Sequence, residues 1–192
     1  MAGVLLAAGS GSRLGRPKAL VVVGGQSLVA RGVTLLHDGG AQPVIVVTGA
    51  VELADPPGPG VVGVRNPDWA TGMGSSLAAG LAAVPPDRAA AVIALADQPL
   101  VGAEAVRRLI AAYASGAAVA VACYEGRPRN PVLISRAHWP AVVALATGDV
   151  GARPFLRSRP DLVTHVECGD AGRPDDIDSP EDLARAERLL AT

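Results

Sequence analysis

Val4-Leu5-Leu6-Ala7-Ala8 is an apolar run that breaks abruptly into glycine, serine and cations from Gly9 to Lys18. A run this short reads as a strand buried on both faces of a parallel sheet. Similar runs recur at residues 44–47, 61–64, 91–96, 117–123, 132–134 and 162–167. Helical spacing fills the intervals. Ser27 is the expected N-cap of a helix over residues 28–38, which Gly39-Gly40 stops. A second helix is expected through Leu77, Leu81 and Val84, with Ser75 or Ser76 able to cap it. Others are expected over residues 103–113 and 135–146, with Pro140 starting or bending the latter. Ser179, Pro180 and Asp182 supply an N-cap, an N1 proline and an N3 acid. Leu183, Ala186, Leu189 and Leu190 then give the closing helix an apolar face. Strands alternating with helices predict an α/β fold whose mostly parallel sheet is covered on both faces. Residues 55–60 are a Pro/Gly-rich connection rather than a linker, so residues 1–192 are expected to form a single domain.

The break after Ala8 carries the first chemistry. Gly9, Gly11 and Gly15 let the backbone turn and bring N–H groups close to a ligand, and Arg13 and Lys18 add charge. A donor-rich cationic loop suits a polyphosphate. A dinucleotide fingerprint would need a third glycine where Leu14 stands, and a Walker loop would need Gly-Lys-Ser/Thr, which does not occur.

Other candidates follow the strands. Asp97 comes directly after the run at 91–96, and ligands of open α/β sheets sit beyond the carboxyl ends of strands. If the first and fourth strands are neighbours, Asp97 lies beside the Lys18 loop. One carboxylate there can hold magnesium, which takes one or two carboxylates plus phosphate oxygens and water. Capping of the helix near Gly102 is the structural alternative. Asn66 to Ser76 places small residues and hydroxyls at a helix start, where a phosphate or a polar ligand part could bind. Arg129 and Asn130 lie between two strands, where they serve an anionic substrate or a solvated turn. Asp149 lies between Gly148 and Gly151, where helix capping would explain it. Asp176 and Asp178 precede the cap at Ser179; acids so crowded repel unless a cation is near, which makes either a second metal carboxylate or part of a solvated acidic turn.

Composition narrows the class. Hydrophobic residues make up 49% but aromatics only 3%, so the core must be built from Ala, Val and Leu. A net charge of −1 argues against a broad nucleic-acid footprint. Cys123 and Cys168 have no metal-ligand spacing, which fits a reduced compartment. No apolar run reaches membrane-spanning length, and no basic segment precedes the first one. A cytoplasmic protein without membrane association is expected.

Leu-Ala-Ala-Gly-Ser-Gly-Ser-Arg-Leu-Gly-Arg-Pro-Lys at residues 6–18 resembles the nucleotidyltransferase signature position by position. With residues 66–81, 95–99, 130–133, 148–153 and 176–182, the chain is similar to the nucleotidyltransferases that mature the molybdenum cofactor, the CTP:molybdopterin cytidylyltransferase branch in particular. Asp-Ile-Asp-Ser-Pro-Glu-Asp at 176–182 stands where a guanylyltransferase would usually show Asn-Val-Asn-Thr-Pro. The chain departs at 19–23, where Ala-Leu-Val-Val-Val replaces a Leu-Leu-Pro-like run. The resemblance implies a Rossmann-like three-layer αβα sandwich of the nucleotide-diphospho-sugar transferase type. It implies transfer of CMP from CTP to the terminal phosphate of molybdopterin, with magnesium and release of pyrophosphate. Gly9, Gly11, Arg13 and Lys18 would hold the triphosphate, and Ser76 with the Ala7 and Ala8 backbone would meet the base. Asn66, Gly72 and Asp97 would complete the nucleotide site. Lys18, Arg13 and Asp97 would be catalytic, and Asp97 and Asp178 would hold the metal. Arg129, Asn130 and Asp149 would face the pterin, with a molybdenum hydroxylase as the eventual acceptor of the product. The same branch includes oxidoreductases acting on a pigment from nicotine breakdown. Other expectations are therefore a sugar- or alcohol-phosphate nucleotidyltransferase, an NAD(P)H-dependent oxidoreductase and a non-catalytic cofactor carrier.

Overall fold

Val4, Leu5 and Leu6 offer no polar face to water, and the fold buries all of them in the first strand, β1 (Ala2–Leu6). The computed structural model describes residues 1–51 and 58–191. Of the predicted connection at 55–60, residues 55–57 lie outside that set. After β1 come a short hairpin, β2 (Val22–Val23) and β3 (Gln26–Ser27), and helix α1 (Leu28–Asp38). Ser27 caps α1 by accepting a hydrogen bond from the Ala30 amide. Then follow β4 (Val44–Thr48), β5 (Val61–Arg65), α2 (Met73–Ala82), β6 (Ala90–Leu95) and α3 (Ala103–Ala114). The remaining elements are β7 (Val119–Tyr124), β8 (Arg127–Ser135), α4 (Trp139–Leu145), α5 (Arg153–Ser158), β9 (Val163–Glu167) and α6 (Pro180–Leu190).

Among the described residues, seven strands form one sheet in the order β5-β4-β1-β6-β8-β7-β9. Every pairing is parallel except those of β8, which runs against both β6 and β7. β1 lies between β4 and β6, so β6, the fourth of the strands predicted from the sequence and the one that Asp97 follows, neighbours the first. Alternate residues of the central strands divide the core. Leu5, Val46 and Val92 pack with α1 and α3 on one face, while Val4, Ile45 and Ile93 pack with α2 and α4 on the other. This is the expected three-layer αβα sandwich with a mostly parallel sheet.

Two segments differ from the expected pattern. Residues 127–131 do not separate two strands; they are the first half of β8. Glu125 and Gly126, both at positive φ, turn the chain back, so β7 and β8 form an antiparallel hairpin. The helix expected over 135–146 is shorter: a 3-10 turn occupies Arg136–His138, and α4 starts at Trp139 with Pro140 in its first turn.

Candidate active site

The chain leaves β1 at its carboxyl end and folds the following loop back on itself. Gly11 adopts φ +62°, and a Cβ there would collide with the Arg16 carbonyl. The Lys18 amide then donates to the Gly9 carbonyl at 3.3 Å, closing the loop. This closure turns the Lys18 side chain toward the end of β6. Its Nζ donates to Asp97 Oδ2 at 2.6 Å and to Asp178 Oδ1 at 2.5 Å. The acids are 79 and 160 residues from the lysine along the chain, so the tertiary fold creates this contact.

Each partner is held from behind. The Ile177 amide donates to the Asp97 carbonyl at 2.8 Å, and the Ile177 side chain is only 2% exposed. Burying such a side chain contributes roughly 1.5–3 kcal/mol, enough to seat the acidic segment against the sheet. Asp178 follows directly. Asp182 accepts from the Asp178 and Ser179 amides and the Ser179 hydroxyl, while Ser179 accepts from the Asp182 amide, completing a capping box for α6. Gln98 is buried and donates to the Pro174 carbonyl at 3.3 Å and to Asp176 Oδ1 at 2.8 Å. Asp176 is thus tied to Gln98, and Asp178 is the acid that meets Lys18.

Burial works against the Lys18 ammonium, but the Asp97 and Asp178 carboxylates outweigh it and raise its pKa above the ordinary lysine value. Asp176 is also raised: desolvation and the negative charge of Asp97 and Asp178 overcome the opposing Gln98 hydrogen bond and Lys18 charge.

The Lys18–Asp97 pair forms part of the wall of a cleft of about 310 Å³ at the carboxyl edge of the sheet. Leu6, Ala7, Ala8, Gly9 and Ser10 line one part, and Trp69, Gly72, Met73 and Ser76 another. The start of α2 borders the cleft without a side-chain cap of its own. Gly72 has φ +118°, and a Cβ there would run into the Gly148 backbone. Asp149 Oδ1 instead accepts from the Met73 amide at 3.2 Å. Ser75 and Ser76 therefore do not cap α2; the cap comes from Asp149, 76 residues away. Asn66 is buried and donates to the Ser75 hydroxyl at 2.9 Å and to Ser76 at 3.0 Å, aligning that turn from behind the wall.

The fold thus gathers Ala7, Ala8, Gly9, Lys18, Gly72, Ser76, Asp97 and Asp149 around one hollow. Gly11, Arg13, Asn66, Arg129, Asn130 and Asp178 are not among the described lining residues; Asp178 reaches the site through Lys18 alone. Arg13 is exposed on the outer 3-10 turn of the loop. Arg129 and Asn130 lie on β8, at the same carboxyl edge because β8 runs antiparallel to β6. Trp69 and Met73 in the cleft wall and Gln98 behind Asp176 are site residues that no motif in the sequence marks. For Gln98 the available signal was its position directly after a strand-end acid.

The sequence likeness agrees with this geometry. Residues 3–164 match the MobA-like NTP transferase domain. The chain belongs to that family. Relatives of the MobA-like domain include nicotine blue oxidoreductase of Paenarthrobacter nicotinovorans, 38% identical over 95% of this chain and 94% of that protein. Another is a molybdenum cofactor guanylyltransferase of Rhizobium johnstonii, 31% identical over 99% of this chain and 93% of that protein. Among solved structures, Rv0371c of Mycobacterium tuberculosis H37Rv superposes with a TM-score of 0.79 at 26% identity, covering 97% of both chains. A manganese complex of Rv0371c superposes with a TM-score of 0.73. Nucleotidyl transfer is the activity class this MobA-like membership supports. No helix among the described residues is long and apolar enough to cross a membrane.

Asp97 and Asp178 also permit a test of the implied divalent ion. They present hard oxygen ligands from two chain segments around a point held by an ammonium, which is itself a cation. One carboxylate in the cleft wall, Asp97, and a second, Asp178, joined to it through Lys18 suit magnesium or manganese with phosphate and water completing the shell, so the residues fit the group.

Proposed function

We propose that this protein moves CMP from CTP to the terminal phosphate of molybdopterin and releases pyrophosphate. The observation that carries the reading is the meeting of Lys18 with Asp97 and Asp178 beside a cleft walled by the loop after β1. In this reaction an acceptor phosphate oxygen bonds to the α-phosphorus, the bond to the bridging oxygen breaks, and the electron pair leaves with pyrophosphate. Little covalent work falls to the protein, so positioning and charge supply the rate.

Each residue has a role in that scheme. The backbone of Ala7, Ala8 and Gly9 lines the nucleotide side of the cleft. Lys18 stays charged and neutralises the phosphoryl oxygens as negative charge builds. Asp97 and Asp178 position Lys18 and would hold the divalent ion. When bound, that ion supplies further neutralisation of phosphate charge. Asn66 and Asp149 keep the start of α2 in place, so that Ser76 keeps its position in the wall. Arg13, Arg129 and Asn130 sit outside the cleft wall on the same edge, where they can meet phosphates or a pterin that extends beyond it.

The 38% identity to nicotine blue oxidoreductase favours a second reading, NAD(P)H-dependent reduction in the same hollow. A thermal-shift series with CTP, GTP, ATP, UTP and NADPH, each with magnesium, separates the two, because stabilisation rises with ligand concentration over Kd. The transferase reading expects CTP to give the largest shift. A shift from NADPH alone, followed by NADPH consumption on adding an oxidised acceptor, would replace it with the second reading.

A further inference from the structure

We infer that Trp69 is the stacking surface for the heteroaromatic base of the bound nucleotide. This deepens the nucleotide reading of the cleft and rests on it.

The chain has only two tryptophans, and they are used differently. Trp139 belongs to the core: it is 6% exposed, its indole N–H donates to the Ile134 carbonyl at 3.1 Å, and the Arg136 guanidinium lies 4.1 Å from the centre of its ring. Trp69 is half-buried and lines the cleft among small residues, Ala7, Ala8, Ala70 and Ala96. A large aromatic residue half-buried in a cleft wall, with four alanines among its other lining residues, has surface available for a ligand to cover.

Its position is tightly built. The Asp68 amide donates to Asn66 Oδ1 at 3.0 Å, the Thr71 hydroxyl to the Asp68 carbonyl at 2.7 Å, and the Gly72 amide to the Trp69 carbonyl at 3.1 Å. These bonds hold the 3-10 turn Trp69–Thr71 in one shape. Gly49, just beyond β4, leaves the space that Trp69 enters. A Cβ at residue 49 would collide with Trp69 Cβ and Cγ and lie 3.0 Å from Ala8 Cβ. Trp69 is therefore wedged against the end of β4, beside Ala8.

Sheet order assigns the ligand part. β1 lies between β4 and β6. Asp97 follows β6, whereas Trp69 packs at the β4 side. With the phosphates at Lys18, Asp97 and Asp178, the opposite side of the β1 loop is left for the base. Every nucleobase has a π-face, so an aromatic ring there can stack on it.

Tryptophan emission tests this directly. CTP with magnesium should quench the wild-type fluorescence, whereas tripolyphosphate, which has no base, should not. Trp69→Phe, which keeps a ring but leaves only Trp139 to emit, should lose the quench while its calorimetric Kd for CTP stays within about threefold. Trp69→Ala should weaken that Kd about tenfold or more, with kcat much less affected than KM. Gly49→Ala, which displaces the ring without removing it, should also weaken binding. Calorimetric binding of CTP with no quench, and an unchanged Kd in Trp69→Ala, would overturn the inference while leaving the transferase reading standing. Quenching through Trp69 by NADPH, with no CTP binding, would keep the stacking role and remove the transferase. No nucleotide response in either readout would end both.

Discussion

Two clusters in this molecule have the same formal composition, one cation between two carboxylates, and opposite character. At the carboxyl edge of the sheet, Lys18 is held by Asp97 and Asp178. On the outside of α3, Arg108 is held by Glu104 and Asp170. Arg108 uses four of its five donors: Nε bonds Glu104 at 3.1 Å, the two terminal nitrogens grip Asp170 at 2.6 and 2.8 Å, and Nη1 also reaches the Glu167 carbonyl, so that Glu104, which also accepts from Arg107, and Asp170 have both carboxylate oxygens bonded. That fork ties α3 to the chain after β9 and faces water, where such pairs contribute little. Lys18 has three donors and uses two on carboxylates, beside a cleft. Among the described residues, no hydrogen bond reaches Asp97 Oδ1 or Asp178 Oδ2, so the acids keep acceptors free. The exposed carboxylates spend both oxygens on arginines, whereas those beside the cleft keep one acceptor each that a ligand could meet.

The largest effect that should separate them is on turnover. Lys18→Ala is expected to lower kcat for nucleotidyl transfer by on the order of 10²–10³, as loss of one preorganised donor does elsewhere. Arg108→Ala should leave kcat within about twofold, as expected for a surface change away from the reacting groups. Steady-state kinetics of both variants decide, and near wild-type turnover in Lys18→Ala would remove the lysine from the mechanism.

A smaller effect concerns the metal. Lys18→Met removes the cation between Asp97 and Asp178, so nucleotide-free protein should bind Mn²⁺ about tenfold more tightly, the scale of one partly screened charge interaction. Arg108→Met should leave that affinity unchanged. Calorimetry of Mn²⁺ binding checks both, and unchanged affinity in Lys18→Met would show that ammonium and metal do not share a site.

The smallest effects lie in the dependence of stability on pH. Asp176 has a raised pKa in the folded protein, so its favourable contribution is present only below the unfolded carboxylate value and is lost as pH rises through the folded value. Asp176→Asn keeps an acceptor for Gln98 and should raise Tm by about 1–3 °C at neutral pH. The gain should vanish in acid, where the native side chain is itself neutral. Asp170 shows the opposite sign: Arg108 holds its pKa down to about 2, so its contribution is complete above the ordinary carboxylate value and is lost as pH falls toward 2. Thermal melts from neutral to acid pH should show the Asp176→Asn gain shrinking and any Asp170→Asn deficit closing. A gain that persists in acid would contradict the assignment for Asp176.

Local patterns in the chain carried much of this structure. Ser27, Ser179, Pro180 and Asp182 announce helix starts by chemistry that acts over three residues, and both starts are where those residues put them. Asp97 was legible because a strand end and an acid coincide. What stayed hidden depends on contacts that no local pattern records. Asp149 caps a helix 76 residues away, and Gln98 anchors the acidic segment beside Asp178. Trp69 owes its place to the missing side chain of Gly49. The β7–β8 hairpin carries no clear local signal, because Glu125 supplies one of its two positive-φ residues in place of the Asn, Asp or Gly that such turns favour.

The most direct test of the central claim is the transfer itself. Incubation of the protein with CTP labelled at the α-phosphate, molybdopterin and magnesium should move the label into a pterin dinucleotide with an equal amount of pyrophosphate, and Lys18→Ala should largely abolish it. Label that stays in CTP while molybdopterin is present and bound would contradict the account.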